Sequence, residues 1–191
     1  MSTESNETIQ TTNKTAFSTY KLVMSALFAA LLCISAYISI SIPLPGSPHI
    51  TLLNFVIILI ALLFAVKEAF FIILVWMLLG ALGIPVFIGG GAGIGYLTGP
   101  WGGYTVSFLV IAVVLPLIRG AKYNRIRYTI TAIIGVLLID VIGMIWLKLY
   151  NSLPWSAAFL TGFVSFLPLD LVKAVVCAQI IPAFKRVMKD L

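Results

Sequence analysis

The sequence predicts an all-α integral membrane protein of six transmembrane helices, and three observations carry that expectation. Of its 191 residues, 61% are hydrophobic and 9% charged, with a mean hydropathy of +1.14. A soluble domain carries about a quarter charged residues. The charges present fall in short groups between long uncharged runs, leaving room for roughly six spans of about 20 residues each. Ten of the twelve cations fall on one side of a six-span arrangement, which places both termini in the cytoplasm.

Residues 1–15 are polar and rich in Thr and Asn, and read as a disordered tail ahead of a single membrane domain over 16–191. They lack the basic region and small-residue cleavage site of a secretory signal, so Leu22 onward reads as a retained first span. The run Leu22–Val66 is uncharged but is broken by Pro43-Leu-Pro-Gly-Ser-Pro48, because proline cannot continue a helix. The expected spans are therefore 21–42 and 51–66, with Lys67-Glu68 as a tight turn and a third span at 68–82. A fourth runs over 103–118, and a fifth, after Arg119, Lys122, Arg125 and Arg127, over 128–149.

Residues 155–184 are too long for one crossing. Pro168 divides them, since proline is favoured in the first helical turn. A helix from Pro168 to about Met188 then crosses, and 155–166 becomes a short helical piece over the outer surface.

Nine of the fifteen glycines lie between Gly83 and Tyr104, mixed with aromatics and prolines and without a charge. Such a run is an irregular loop between helices 3 and 4, and non-helical backbone at membrane depth is tolerated only where it is buried or lines a cavity. With the 43–48 loop and the 150–167 connection it meets at the outer face, where a binding site is expected.

Ionisable residues inside a membrane are expensive and mark functional sites by default. Asp170 and Lys173, three apart on the last helix, share a face in its outer third, and Asn151 closes span 5 at the same depth. They offer a carboxylate, an ammonium and an amide. A ligand site and a self-satisfied ion pair that fixes helix packing are both open at this point. Asp140, midway along span 5, reads as structural, either accepting from hydroxyls or backbone of a neighbouring helix or being protonated there by desolvation. Lys148 is expected to snorkel to the outer interface. Cys33 and Cys177 read as small apolar packing residues. On span 1, Ser25, Ala26, Ala29 and Ala30 form a small-residue patch, either for packing inside the bundle or for close approach of another helix.

Several chemistries are excluded. The single histidine, His49, cannot build a metal site. Gly89–Gly95 does not fit G-x-G-x-x-G, and there is no G-K-[ST], so the chain cannot hydrolyse ATP by that machinery. No zinc-protease motif, nucleophile elbow or clustered carboxylates occur. The basic residues mark membrane edges rather than a nucleic-acid face. The reading is a non-enzyme that needs no cofactor.

The order P-L-P-G-S-P (43–48), G-I-P-V-F (83–87), the glycine run, Y-L-T-G-P-W-G-G-Y (96–104) and P-L-D-L-V-K (168–173) resembles the BioY family, the biotin-specific S components of energy-coupling factor (ECF) transporters. The resemblance covers nearly everything after the first twenty residues. Trp101 departs from it, standing where the family usually has a small residue such as Thr. The resemblance implies a multi-pass cell-membrane protein that binds biotin from the outside. It would dock onto a transmembrane coupling subunit driven by two ATP-binding-cassette ATPases.

It also points to Ala26 and Ala30 as the docking face and to Asp170 and Lys173 as ligand residues. Biotin's ureido N–H groups suit Asp170 and Asn151, and Lys173 suits an oxygen acceptor. Gly91, Gly93 and Tyr96 would present backbone and an aromatic wall, and Pro43, Leu44 and Pro45 a lid. Two other classes remain beside this one. A channel would need a polar ring, of which no stripe is visible. An ion-coupled carrier for a small vitamin-like molecule would usually show repeats with paired broken helices, and one such segment is present.

Overall fold

The computed structural model describes the backbone of residues 2–41 and 49–190 and the side chains of 19–39 and 51–188. The expected lid residues Pro43, Leu44 and Pro45 lie outside these. Helix α1 spans Ser2–Ser35. No glycine or proline interrupts it, and its backbone is helical through the segment that composition marked as a disordered tail.

The first apolar helix ends at Ser35 rather than 42. Beyond it, Ile38-Ser-Ile-Ser-Ile42 alternates apolar and polar residues with period two, a strand signal. Strand β1 (Ser39–Ser41) pairs antiparallel with β2 (His49–Thr51), Ser39 opposite Thr51 and Ser41 opposite His49.

Helix α2 (Leu53–Leu63) begins where the Thr51 hydroxyl accepts from the Leu53 N–H at 2.8 Å. It is apolar apart from Asn54, and nine of its residues are buried, as expected of a helix enclosed by others. Phe64 and Ala65 are extended and make the turn, so Lys67 and Glu68 sit inside the first turn of α3 (Val66–Ala81) rather than forming the turn themselves. Gly83, with φ of +100°, ends α3 in a left-handed cap, with the Ile84 N–H bonded to the Leu79 carbonyl.

A 3₁₀ turn at Ile88–Gly90 and the short helix α4 (Ile94–Thr98) lead into α5 (Gly102–Ile118). Helix α6 (Arg125–Asn151) starts at Asn124, whose side chain accepts from the Arg127 N–H at 3.1 Å. Helix α7 (Trp155–Phe159) and a π turn (Leu160–Val164) precede α8 (Leu167–Asp190), with Pro168 in its first turn as the sequence predicts. The Lys148 ammonium lies 4.6 Å from the centre of the Trp155 ring.

Helices α1, α5, α6 and α8 surround α2, and α3 packs on α1 and α5. Close approach of α5 and α6 needs two glycines. A Cβ at Gly143 would lie 2.2 Å from the Tyr104 ring, and one at Gly103 would lie 2.1 Å from Trp146 Cβ. At the end where α5 stops, the Arg119 guanidinium donates to the carbonyls of Leu62 at 2.6 Å and Phe64 at 2.7 Å, closing α2. It also donates to the Tyr128 hydroxyl, which accepts from Lys185 at 2.8 Å.

The outside of the bundle is apolar: Leu22, Leu82, Leu117, Ile126, Leu149 and Val172 are each at least 60% exposed. An apolar surface of this extent is a liability in water. Among the described residues, α6 and the 155–188 segment are long and apolar enough to cross a membrane, while residues 19–35, α2 and α5 are shorter apolar helices.

Candidate functional site

At the end of the bundle opposite Arg119, a narrow, partly open cavity of about 30 Å³ lies where the glycine-rich segment folds back over the helices. Thr51 and Asn54 reach it from β2 and α2, Asp140 from α6, and Phe166 from the turn before α8. Ile88, Tyr96, Trp101 and Tyr104 close it from the glycine-rich side and the start of α5. Its volume is on the order of one water molecule, so a larger guest requires the wall to open.

The aromatic part of that wall follows from local sequence. Gly91 is a glycine because a Cβ there would sit 2.5 Å from the Tyr96 ring. Gly93, at φ of +85°, turns the chain so that its N–H bonds the Gly80 carbonyl at 2.7 Å. Both shape the segment without lining the cavity. Tyr96 does line it, stacked on Phe87 at 4.8 Å. Trp101 packs against Tyr104 at 5.7 Å and edge-on to Phe166 at 6.4 Å. The Tyr104 hydroxyl donates to the Gly162 carbonyl, tying α5 to the π turn.

The polar part joins residues far apart in sequence. Lys173 Nζ donates to Asp170 Oδ1 at 2.7 Å and to the Thr51 carbonyl at 2.9 Å. Asp170 Oδ2 accepts from Asn54 Nδ2 at 3.1 Å. The pair predicted from three-residue spacing is therefore formed, 3% exposure at Asp170 keeps it dry, and it braces α8 against two residues of the cavity wall.

The predicted amide is in a different place. Asn151 is exposed at the end of α6 and donates to the Leu147 carbonyl of its own helix at 3.3 Å. The amide that meets Asp170 is Asn54's, and nothing in the local pattern of an otherwise apolar α2 except its one polar side chain marked it. Asp140 departs from one of the two expectations for it. It is 1% exposed and lines the cavity, and its Oδ2 has no hydrogen-bond partner, so the hydroxyl or backbone contacts of the first are not formed.

Ala26 and Ala30 lie exposed on α1, away from the cavity. Ala26 and Ala29 line an open groove between α1 and α3, walled on the other side by Phe71, Ile72 and Val75. A bridge from Lys21 to Glu68, 3.0 Å long, crosses its end. Cys177 is buried and unbonded to Cys33. Among the described residues no group of His, Cys, Asp and Glu is placed to hold a metal ion.

The profile of the BioY family matches residues 8–190. The chain belongs to the BioY family. Its relatives in that family include the biotin transporter BioY2 of Lactococcus lactis subsp. cremoris, 38% identical over 157 residues, which are 82% of this chain and 85% of that one. The probable biotin transporter BioY of Pyrococcus horikoshii is 40% identical over 149 residues, 78% of this chain and 86% of that one. The same fold is seen in a crystal structure of the S-component for biotin from an ECF-type ABC transporter. That structure superposes with a TM-score of 0.80 at 24% identity, over 90% of this chain and 93% of that one.

Proposed function

We propose that this BioY chain is the biotin-binding S component of an ECF-type importer, a transport subunit rather than an enzyme. The observation that carries the proposal is the aromatic-walled cavity with Asp140 in its lining and the Asp170–Lys173 pair behind Asn54 and Thr51, in a chain whose relatives are named biotin transporters. Biotin combines an apolar thioether ring, a ureido group with two N–H donors and one carbonyl, and a valerate carboxylate. Aromatic rings suit the first, carboxylates the second, and an ammonium an oxygen acceptor.

In this reading the six helices α1, α2, α3, α5, α6 and α8 cross the cell membrane with both termini inside, as the distribution of cations supports. The cavity then faces outward. Asp170 and Lys173 meet biotin once the wall opens, Tyr96 supplies an aromatic face, and Gly91 and Gly93 hold the segment that carries it. Pro43, Leu44 and Pro45 act as the lid. Ala26 and Ala30 form the face that a transmembrane coupling subunit approaches, with two ATPases supplying the energy.

The deciding experiment measures biotin binding to the purified chain by calorimetry, then uptake in vesicles with and without the coupling and ATPase subunits. Tight binding by the chain alone, with uptake that needs ATP and the other subunits, is the expected result. Uptake driven by an ion gradient without them would establish a secondary carrier instead.

A further inference from the structure

A buried carboxylate is costly unless its oxygens accept hydrogen bonds. Asp170 meets that condition inside the protein, through Lys173 and Asn54. Asp140 does not: at 1% exposure its Oδ2 has no partner, and the side chain lines the cavity. No other buried side-chain oxygen among the described residues is left in this state. Such an atom in a native structure calls for an explanation, and a partner from outside the chain is one.

We infer that Asp140 is a ligand contact, its Oδ2 accepting a hydrogen bond from one ureido N–H of biotin. The inference rests on the biotin reading above. The chemistry of the ligand demands such a group: the ureido ring presents two N–H donors, and the site needs an acceptor for each. The proposed function assigns one to Asp170, whose oxygens are held by Lys173 and Asn54 while the wall is closed. The second was expected at Asn151, which lies exposed with its amide on its own helix. Asp140 reaches the cavity from α6 while Asp170 stands behind Asn54 at the wall formed by α2, so the two carboxylates approach the site from different helices. Trp101, Tyr104 and Phe166 exclude water around Asp140, which strengthens a hydrogen bond made there.

The role makes a prediction that a structural aspartate would not. Removing the unpartnered carboxylate relieves a cost in the unliganded protein and removes a bond in the liganded one. Asp140→Leu should therefore raise the thermal midpoint without biotin, while weakening biotin binding about 10- to 100-fold. Asp140→Asn retains an oxygen acceptor and should lose less, about 3- to 10-fold.

The test is calorimetric titration of wild type, Asp140→Leu and Asp140→Asn with biotin and with biotin methylated on either ureido nitrogen. For one of the two methylated ligands, the penalty seen with wild type should vanish in Asp140→Leu. A destabilised Asp140→Leu that binds biotin like wild type would overturn the inference and leave the biotin reading standing. If Asp140→Leu does not fold, Asp140→Asn decides: wild-type affinity overturns the inference, and a loss of about threefold or more sustains it. No biotin binding by the wild-type chain would overturn the biotin reading and this inference together.

Discussion

The ring of Tyr104 lies against the backbone of Gly143, so close that a Cβ at that position would sit 2.2 Å from the ring. One aromatic side chain on α5 thus sets how near α6 can come, and its hydroxyl fixes the π turn through Gly162. Gly143→Ala must push the ring or the helix aside, and overpacking of this kind costs about 1–3 kcal/mol. The expected result is a lower thermal midpoint in detergent. Gly95→Ala is the matched control, because a Cβ there meets nothing within 4 Å, and its midpoint should stay at the wild-type value. Equal stability of both variants would show that α5 and α6 are not tightly interlocked.

Asp170→Asn should weaken biotin binding by about 2–4 kcal/mol, roughly a 30- to 1000-fold rise in Kd. The substitution removes the charge that holds Lys173 and replaces an acceptor facing Asn54 with a competing donor. Titration of a well-folded variant is the measurement. Wild-type affinity would make the pair a brace between α8 and α2 and nothing more.

Trp101 is part of the wall around a cavity too small for biotin. A smaller residue there should raise the fraction of molecules open to the ligand, and with it the association rate. Trp101→Thr is expected to speed biotin association roughly 3- to 10-fold in stopped-flow experiments. Wild-type protein should change its tryptophan fluorescence on binding, and Trp101→Phe should abolish most of that change. An unaltered association rate in Trp101→Thr would place the opening elsewhere in the wall.

Ala26→Trp and Ala30→Trp separate binding from transport. Small side chains on α1 let another helix come close, which is where contact energy arises in lipid. Both variants should bind biotin as the wild type does, while co-purification with the coupling subunit and ATP-driven uptake fall. Loss of biotin binding in either would show that the patch packs inside the bundle.

Much of this architecture is legible in single residues. Pro168 marks the start of α8, and the spacing of Asp170 and Lys173 puts them on one face, because both are local effects of backbone and helical period. The ribbon at 39–41 was equally local, in the alternation of Ile and Ser, but it was hidden inside a long apolar run that reads as membrane helix. What the sequence hides is the long-range pairing. Asn54 and Asp170 are 116 residues apart, and Arg119 finds the end of α2 across more than 50. No periodicity connects such residues. The positive-inside pattern marks Arg119 only as one cation among ten. Asn151 stands out because depth along a helix is visible in sequence, while Asn54 does not, because facing direction between helices is not.

Arg119 has a consequence for how the whole molecule moves. Its guanidinium, the Tyr128 hydroxyl and the Lys185 ammonium fasten the ends of α2, α5, α6 and α8 to one another. At the other extremity, the cavity is shut largely by packed rings, with the Tyr104 hydroxyl bonded to the Gly162 carbonyl. The bundle is built like a calyx, its stem knotted and its petals merely folded together. Opening for a ligand is therefore expected at the petals, with the stem keeping its shape whether the cup is full or empty.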